Sequence, residues 1–383
     1  MSMPEKRVKA LFVSHASGLC GAERSLVDFL AGQEGVEPLL LLPGDGPLAE
    51  LAQEHGIPVL NARYHAWVGR SGNVLKAFYR MVCNWLAARR LAKQLRGEKF
   101  DLVYVNTTVN PFGALLAKEL DIPCVWHIRE WVESFDFGVE RSLGCVGDLS
   151  RQVIVNSEAL KRQVAQFISP EKVVVVYNGP IRWERPSDEM PQNRPFPNGG
   201  SLRLVIVGTL YPNKGHEDAI RLTRLLQDDG VDARLDIVGE GADEYVHGQK
   251  EIAAELGVTN RIAWHGFVNE PLELIRSAHI CLICSRAEAF GRVAVEAMSV
   301  GTPVISTGVG GLAEVMMAGE TGLFYDAGNI SSLRDAVLEL TSDEKLYRKM
   351  VVQGVEIAYS RFTAEIYRDR LLHELSLCME RGQ

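Results

Sequence analysis

The chain has 383 residues, a formal net charge of -8 at neutral pH, 46% hydrophobic residues and 23% charged ones. That length exceeds one ordinary core and points to two domains of roughly 150–200 residues, with the composition of a globular protein in water. The acidic balance argues against a general nucleic-acid binder, and no nucleic-acid partner is expected.

The opening run "MSMPEKRVKALFVSHASG" has an apolar core of only "ALFV". It reads as a strand and not as a signal peptide. No run of about 18 apolar residues follows anywhere, so no membrane-spanning helix is expected. The first strand ends in "SHASGLCGAERSL", which sets Gly18 and Gly21 between a strand and a helix. Glycine lets backbone approach a ligand, and a helix N-terminus offers N–H groups to an anion. An ordinary tight loop is the other reading. "PLLLLPG" is a second strand. From Arg70 to Lys99 there are eight Lys or Arg and one Glu, with Phe78, Trp85 and Leu86 interleaved at partly helical spacing. A basic amphipathic helix suits an anionic membrane surface. A solvated helix whose apolar stripe packs on the sheet fits as well. "DLVYVN", "IPCVWHI", "RQVIVNS" and "KVVVVYNG" are further strands, with "EALKRQVAQFI" a helix between the last two. These runs are continuous and rich in Val, Ile and Leu, as strands covered on both faces are. The alternation is that of a doubly wound parallel α/β sheet.

The pattern then breaks. "WERPSDEMPQNRPFPNGG" has four prolines and no apolar period, and residues 181–200 read as a linker. Strand and helix resume with "LRLVIVG", "ARLDIVG", "NRIAWHG", "AHICLIC", "TPVIST" and "GLFY", which make a second domain of the same class. Two such sheets facing each other would form a cleft at their strand ends. Gly208 ends the first of these strands, and Lys214 stands just before a helix, where a point charge suits phosphate. No G-x-G-x-x-G follows the first strand of either domain and no P-loop occurs, so a phosphate site here has a different fingerprint. Cys281 and Cys284 in "CLIC" have the spacing of a metal half-site, but they lie in a buried-strand pattern with no second half, and they read as structural thiols. The seven cysteines form no regular framework, and reduced thiols point to the cytosol.

"SRAEAFGRVAVEAMSVG" follows "AHICLIC". It places Glu288 in the loop at a strand's carboxyl end and Glu296 about a turn and a half into the next helix. The amides of Gly291, Arg292 and Val293 lie between them. A diphosphate on those amides, a ribose diol on Glu296 and a sugar near Glu288 would suit a nucleotide sugar. Two surface glutamates have the same spacing.

The segment from Ser285 to Phe324 closely resembles the signature of family four of the retaining glycosyltransferases, which have the GT-B fold. Glu288, Phe290, Gly291, Glu296, Gly301, Pro303, Gly310, Gly311 and Glu314 carry the likeness. "VNSE" at Val155–Glu158, "VYNG" at Val176–Gly179, "NKG" at Asn213–Gly215, "VGEG" at Val238–Gly241 and "HGFV" at His265–Val268 match in order. The resemblance implies an N-terminal acceptor-binding domain over 1–180, with a helix of about 362–383 packing back on it. It implies a nucleotide-sugar domain over 201–361. Glu296 would hold the ribose and Glu288 would sit beside the donor sugar. Lys214, with the amides around Gly291 and Phe290, would stabilise the leaving diphosphate, Gly21 would close on the phosphates, and Phe267 and Val268 would lie near the base. His127 is implied near sugar and acceptor, with Arg129 and Glu130 shaping the acceptor site; a buried strand histidine is the other reading of His127. The family often has arginine where this chain has Thr209 after Gly208, and Arg292 is a candidate to compensate. No D-x-D motif appears, so no metal or other cofactor is expected, and front-face substitution fits better than a covalent intermediate. The implied partners are a nucleotide sugar and a glycan or lipid-linked acceptor, in bacterial surface polysaccharide synthesis on the inner face of the membrane. A sugar-nucleotide epimerase and a non-catalytic sugar-nucleotide sensor are the alternatives.

Overall fold

The structure is a computed structural model, and it describes residues 7–67, 74–132, 138–187, 196–197 and 200–380. The chain divides into two compact units, Met1–Gly179 with Ala364–Gln383, and Pro180–Thr363.

The first unit is built on β1 Val8–Ser14, β2 Val36–Leu42, β3 Val59–Asn61, β4 Leu102–Asn106, β5 Cys124–Ile128, β6 Gln152–Val155 and β7 Val173–Val175. They form one sheet in the order β3-β2-β1-β4-β5-β6-β7, parallel throughout. Every residue of β4, β5 and β6 is buried, which is why these strands read as unbroken apolar runs. β3 was not among the expected strands. It has three residues at the sheet edge and, unlike the equally short β7 and β13, none of them is buried.

The second unit holds β8 Leu202–Val207, β9 Ala233–Val238, β10 Ile262–Gly266, β11 Ile280–Ile283, β12 Val304–Ser306 and β13 Gly322–Phe324. Their order is β10-β9-β8-β11-β12-β13, again all parallel. Both sheets are therefore doubly wound. The strand order reverses between β1 and β4 in one and between β8 and β11 in the other, and ligands of such sheets bind at the carboxyl ends beside that switch point.

The proline-rich segment lies partly outside the described residues. Its described part is fastened to the second unit: Ile181 bridges Thr363, Arg182 pairs with Glu270, Arg185 pairs with Glu356, and Phe196 packs edge-on to Tyr347. The helix Ala364–Glu380 covers the first sheet, with Tyr367, Leu371, Leu375 and Cys378 in the core beside Phe12, Tyr104 and Ile154.

Candidate functional site

In the second unit two loops leave adjacent strands at the switch point. From β8 the chain passes Gly208 and the exposed Thr209 into a short turn, Pro212–Lys214. From β11 it runs through Ser285 to Gly291. Two hydrogen bonds sew the loops together: the Arg286 N–H donates to the Asn213 carbonyl at 2.7 Å and the Asn213 side-chain amide donates to the Ala287 carbonyl at 3.3 Å. Gly215 lies so close to β11 that a Cβ would stand 2.2 Å from the Cys284 oxygen, and its φ is +66°. Gly311 donates its N–H to the Glu288 carbonyl at 2.9 Å, fixing the second loop from the far side. The result is an ion pair between the loops, with Lys214 Nζ 2.6 Å from Glu288 Oε2 and Ser285 Oγ 3.3 Å from the same oxygen.

The helix Arg292–Ser299 begins at Gly291, whose φ is +102° and whose Cβ would collide with Leu312. Ala294, Val295, Ala297 and Met298 are buried, while Arg292, Val293 and Glu296 are half-buried on the other side. Arg292 Nε donates to Glu296 Oε1 at 2.8 Å. So Arg292 is engaged with the carboxylate expected at the ribose. In its first turn the Ala294 and Val295 N–H groups donate to the Gly291 carbonyl at 3.0 and 3.4 Å, and the helix dipole favours an anion at this end. Phe290 is buried with its ring edge-on to Phe362, which makes it an anchor of the loop. Phe267 is exposed and Val268 half-buried, both just past the end of β10.

The first unit differs more from expectation. Strand alternation turns His127 to the face opposite Trp126, and both faces of this sheet are covered. His127 is fully buried beneath Tyr104, whose hydroxyl meets its Nδ1, and burial with the neighbouring Arg129 cation holds it neutral, its pKa well below the usual histidine range. Arg129 is internal as well. Its guanidinium donates to Asn106 at 2.6 Å, Asn178 at 2.7 Å, the Tyr104 hydroxyl at 3.0 Å and the Tyr367 hydroxyl at 2.5 Å. Asn156 donates to the Arg129 carbonyl at 3.0 Å. Asn156 belongs to "VNSE" and Asn178 to "VYNG", so two motifs meet on one buried arginine. Glu130 turns back to accept from the Thr108 N–H and hydroxyl. Thr107, at the end of β4, has φ +90°, a rare conformation for a β-branched residue. Gly21 opens the helix Gly21–Leu30 and is exposed. Beside it the buried Glu23 holds His15 Nδ1 at 3.1 Å.

Residues 21–180 match the family described as Glycosyltransferase Family 4, and residues 189–356 match Glycosyl transferases group 1. Together the two matches span most of the chain. The chain belongs to family four of the glycosyltransferases. The N-acetyl-alpha-D-glucosaminyl L-malate synthase of Bacillus anthracis is 26% identical over 322 residues, 83% of this chain and 74% of that protein. Among solved structures, Anabaena HepE in complex with UDP-glucose superposes with a TM-score of 0.80 at 23% identity, over 97% of this chain and all of that one. The lipopolysaccharide outer core galactosyltransferase WaaB does so with 0.70 at 18%, over 98% of this chain and all of that one. The fold is GT-B, two Rossmann-like domains, and the protein is a glycosyltransferase using a nucleotide sugar.

Sequence reasoning missed one cluster in this glycosyltransferase. Arg286 grips Asp218 with two hydrogen bonds of 2.7 and 2.8 Å, and the Tyr325 hydroxyl donates to the same carboxylate at 3.3 Å. Asp218 is buried in the first turn of the helix His216–Asp228, so the pair locks the Ser285–Gly291 loop to that helix. A signal existed: Asp218 falls on the apolar side of its helix, one turn before Leu222. His216, at the same helix start, is buried, and burial with the nearby Lys214 cation pushes its pKa down to about 4. Among the described residues no group of three or more His, Cys, Asp or Glu is placed to hold a metal ion.

Proposed function

We propose that this glycosyltransferase transfers its sugar with retention of anomeric configuration, without a metal ion, from a nucleotide diphosphate sugar to a glycan or lipid-linked acceptor of a bacterial surface polysaccharide. The observation that carries the reading is the Lys214–Glu288 pair at the β8/β11 switch point. Lys214 and the positive end of the Arg292–Ser299 helix dipole take the diphosphate and offset the charge that grows on it as the bond to the sugar breaks. Glu288 holds Lys214 in place and faces the anomeric carbon, where it offsets the opposite charge. One oxygen of Glu296 keeps Arg292 beside the phosphates while the other accepts a ribose hydroxyl. Arg292 thus supplies the cation absent at Thr209. In the transfer step the bond from the anomeric carbon to the phosphate oxygen breaks, the acceptor oxygen bonds on the same face, and the departing phosphate takes the acceptor's proton. On the first unit, Glu130 and His15 at the ends of β5 and β1 are the polar groups offered to the acceptor. His127 and Arg129 act from inside by positioning that surface.

HepE was crystallised with UDP-glucose, and the Bacillus anthracis relative is named for an N-acetylglucosaminyl L-malate. UDP-sugars are therefore the first donors to test, with lipid-linked glycans and small hydroxy acids as acceptors. The product's linkage, read by proton NMR, is expected to keep the donor's configuration, and EDTA is expected to leave the rate unchanged. An inverted linkage, or a glycosyl group trapped on the enzyme, would contradict the mechanism. Conversion of the donor to an epimer with no acceptor present would replace it with the epimerase reading.

A further inference from the structure

We propose that the helix Val74–Leu95 is a docking face for an anionic lipid bilayer. The proposal rests on that face alone and not on the reaction above. The helix has two apolar sides. One holds Ala88, Leu91, Ala92 and Leu95, all buried, and Asn84, which is fixed by two hydrogen bonds to the main chain of His65 at 2.8 and 2.7 Å. That side seats the helix on its own unit. The other side carries Leu75, Phe78, Tyr79, Val82 and Leu86, three, four and seven residues apart in the manner of one helical face, with Trp85 at its border. All six are exposed, Leu75 at 82% and Phe78 at 64%. Six large apolar side chains in three turns are more than the scattered singles a soluble surface carries, and such a patch marks a docking site.

Charge identifies the occupant. The same face continues into Arg89, Arg90 and Lys93, all exposed; Arg89 lies over the Trp85 ring at 4.8 Å and pairs with Glu119 at 3.6 Å, which leaves Arg90 and Lys93 as the cations the face offers. Lys76 and Arg80 flank the apolar end, and the helix contains no Asp or Glu. The helix dipole accounts for cations in the last turn but not for an uncovered aromatic stripe at the other end. A second copy docking face to face would set these cations against their equivalents or, in an antiparallel pairing, against the apolar stripe, and neither arrangement offers them an anion. A bilayer with anionic headgroups meets both halves: the rings and aliphatic chains enter the headgroup boundary and the cations pair with phosphates. Among the described residues no helix is long and apolar enough to cross a membrane, so the contact is with the surface.

The test is flotation of the full chain with vesicles of phosphatidylcholine, with and without phosphatidylglycerol. The protein is expected to float with the mixed vesicles, to do so less with phosphatidylcholine alone, and to be released by high salt. Arg90→Gln with Lys93→Gln should lower partitioning by about 30-fold, the equivalent of about 2 kcal/mol. Phe78→Ser with Leu86→Ser should lower it by about tenfold or more. These residues are exposed, so thermal midpoints of the variants should match the parent and separate lost binding from lost folding. A parent chain that does not float overturns the proposal, as do variants that float equally well. A dimer in sedimentation equilibrium, abolished by Phe78→Ser with Leu86→Ser and accompanied by no flotation, would assign the face to a second copy instead.

Discussion

Lys214 and Glu288 come from loops 74 residues apart in sequence and meet at 2.6 Å. Replacing either is expected to cost about two to three orders of magnitude in kcat, the usual loss when one preorganised charge is removed from a transition state. Because the two are in contact, Lys214→Ala combined with Glu288→Gln should cost clearly less than the product of the single effects. Steady-state kinetics on the three variants checks both statements; a fully multiplicative double variant would mean independent roles. The buried histidines set a pH dependence. His216 and His127 are held below the usual histidine range in the folded chain. An unfolded imidazole titrates near ~6.5, so the unfolded chain takes up the proton first as pH falls. The stability that His216 contributes is full above that value and is lost as pH drops toward about 4. Urea midpoints should fall across that window, and His216→Gln should flatten the fall. At this scale the sequence was legible where partners are neighbours. Arg292 and Glu296 are four apart on one helix, the spacing of a helical ion pair. Arg286 and Asp218 are 68 apart, and no local pattern joins them. A histidine at a strand's end looks the same in sequence whether it points to a ligand or into a covered face, which is why both readings of His127 stood open there; the side chain is buried.

Loops and strands show the same division. Twelve strands announced themselves as apolar runs, whereas β3 did not: unlike the equally short edge strands β7 and β13, it has no buried residue. The loop glycines were visible, but not which of them the backbone requires. Gly215 and Gly21 make the contrast. A Cβ at Gly215 would meet the Cys284 oxygen at 2.2 Å in a left-handed conformation, while at Gly21 nothing lies within 4 Å. Gly215→Ala should therefore destabilise the chain by more than about 1 kcal/mol and weaken donor binding through the displaced Lys214. Gly21→Ala should stay within about 0.5 kcal/mol of the parent. Chemical denaturation of both variants decides this, and equal midpoints would remove the close approach of the β8 loop to β11 from the account.

On the scale of the whole molecule, the chain ends by returning to the unit in which it began. Tyr367, Leu371, Leu375 and Cys378 are buried in the first unit's core, Tyr367 meets Arg129, Glu374 accepts from Gln152 at 2.6 Å, and Arg368 donates to the Asp28 carbonyl at 2.8 Å. A fully buried apolar side chain contributes about 1.5–3 kcal/mol, so losing several approaches the total stability of a domain. A chain ending at Thr363 should lose the cooperative unfolding of the first unit and keep that of the second; two intact transitions in calorimetry would contradict this. The helix's own pattern shows that it has a buried side, not which sheet it covers. The likeness to the family supplied that expectation.

Donor recognition at the β8/β11 switch point is tested most directly by calorimetric titration of UDP-glucose and other sugar nucleotides into the full chain. At least one of them is predicted to bind the parent. Lys214→Ala and Glu296→Ala should each weaken that donor about tenfold or more, while Arg90→Gln with Lys93→Gln leaves it unchanged. Affinity that is the same in the parent and in both site variants would contradict the account.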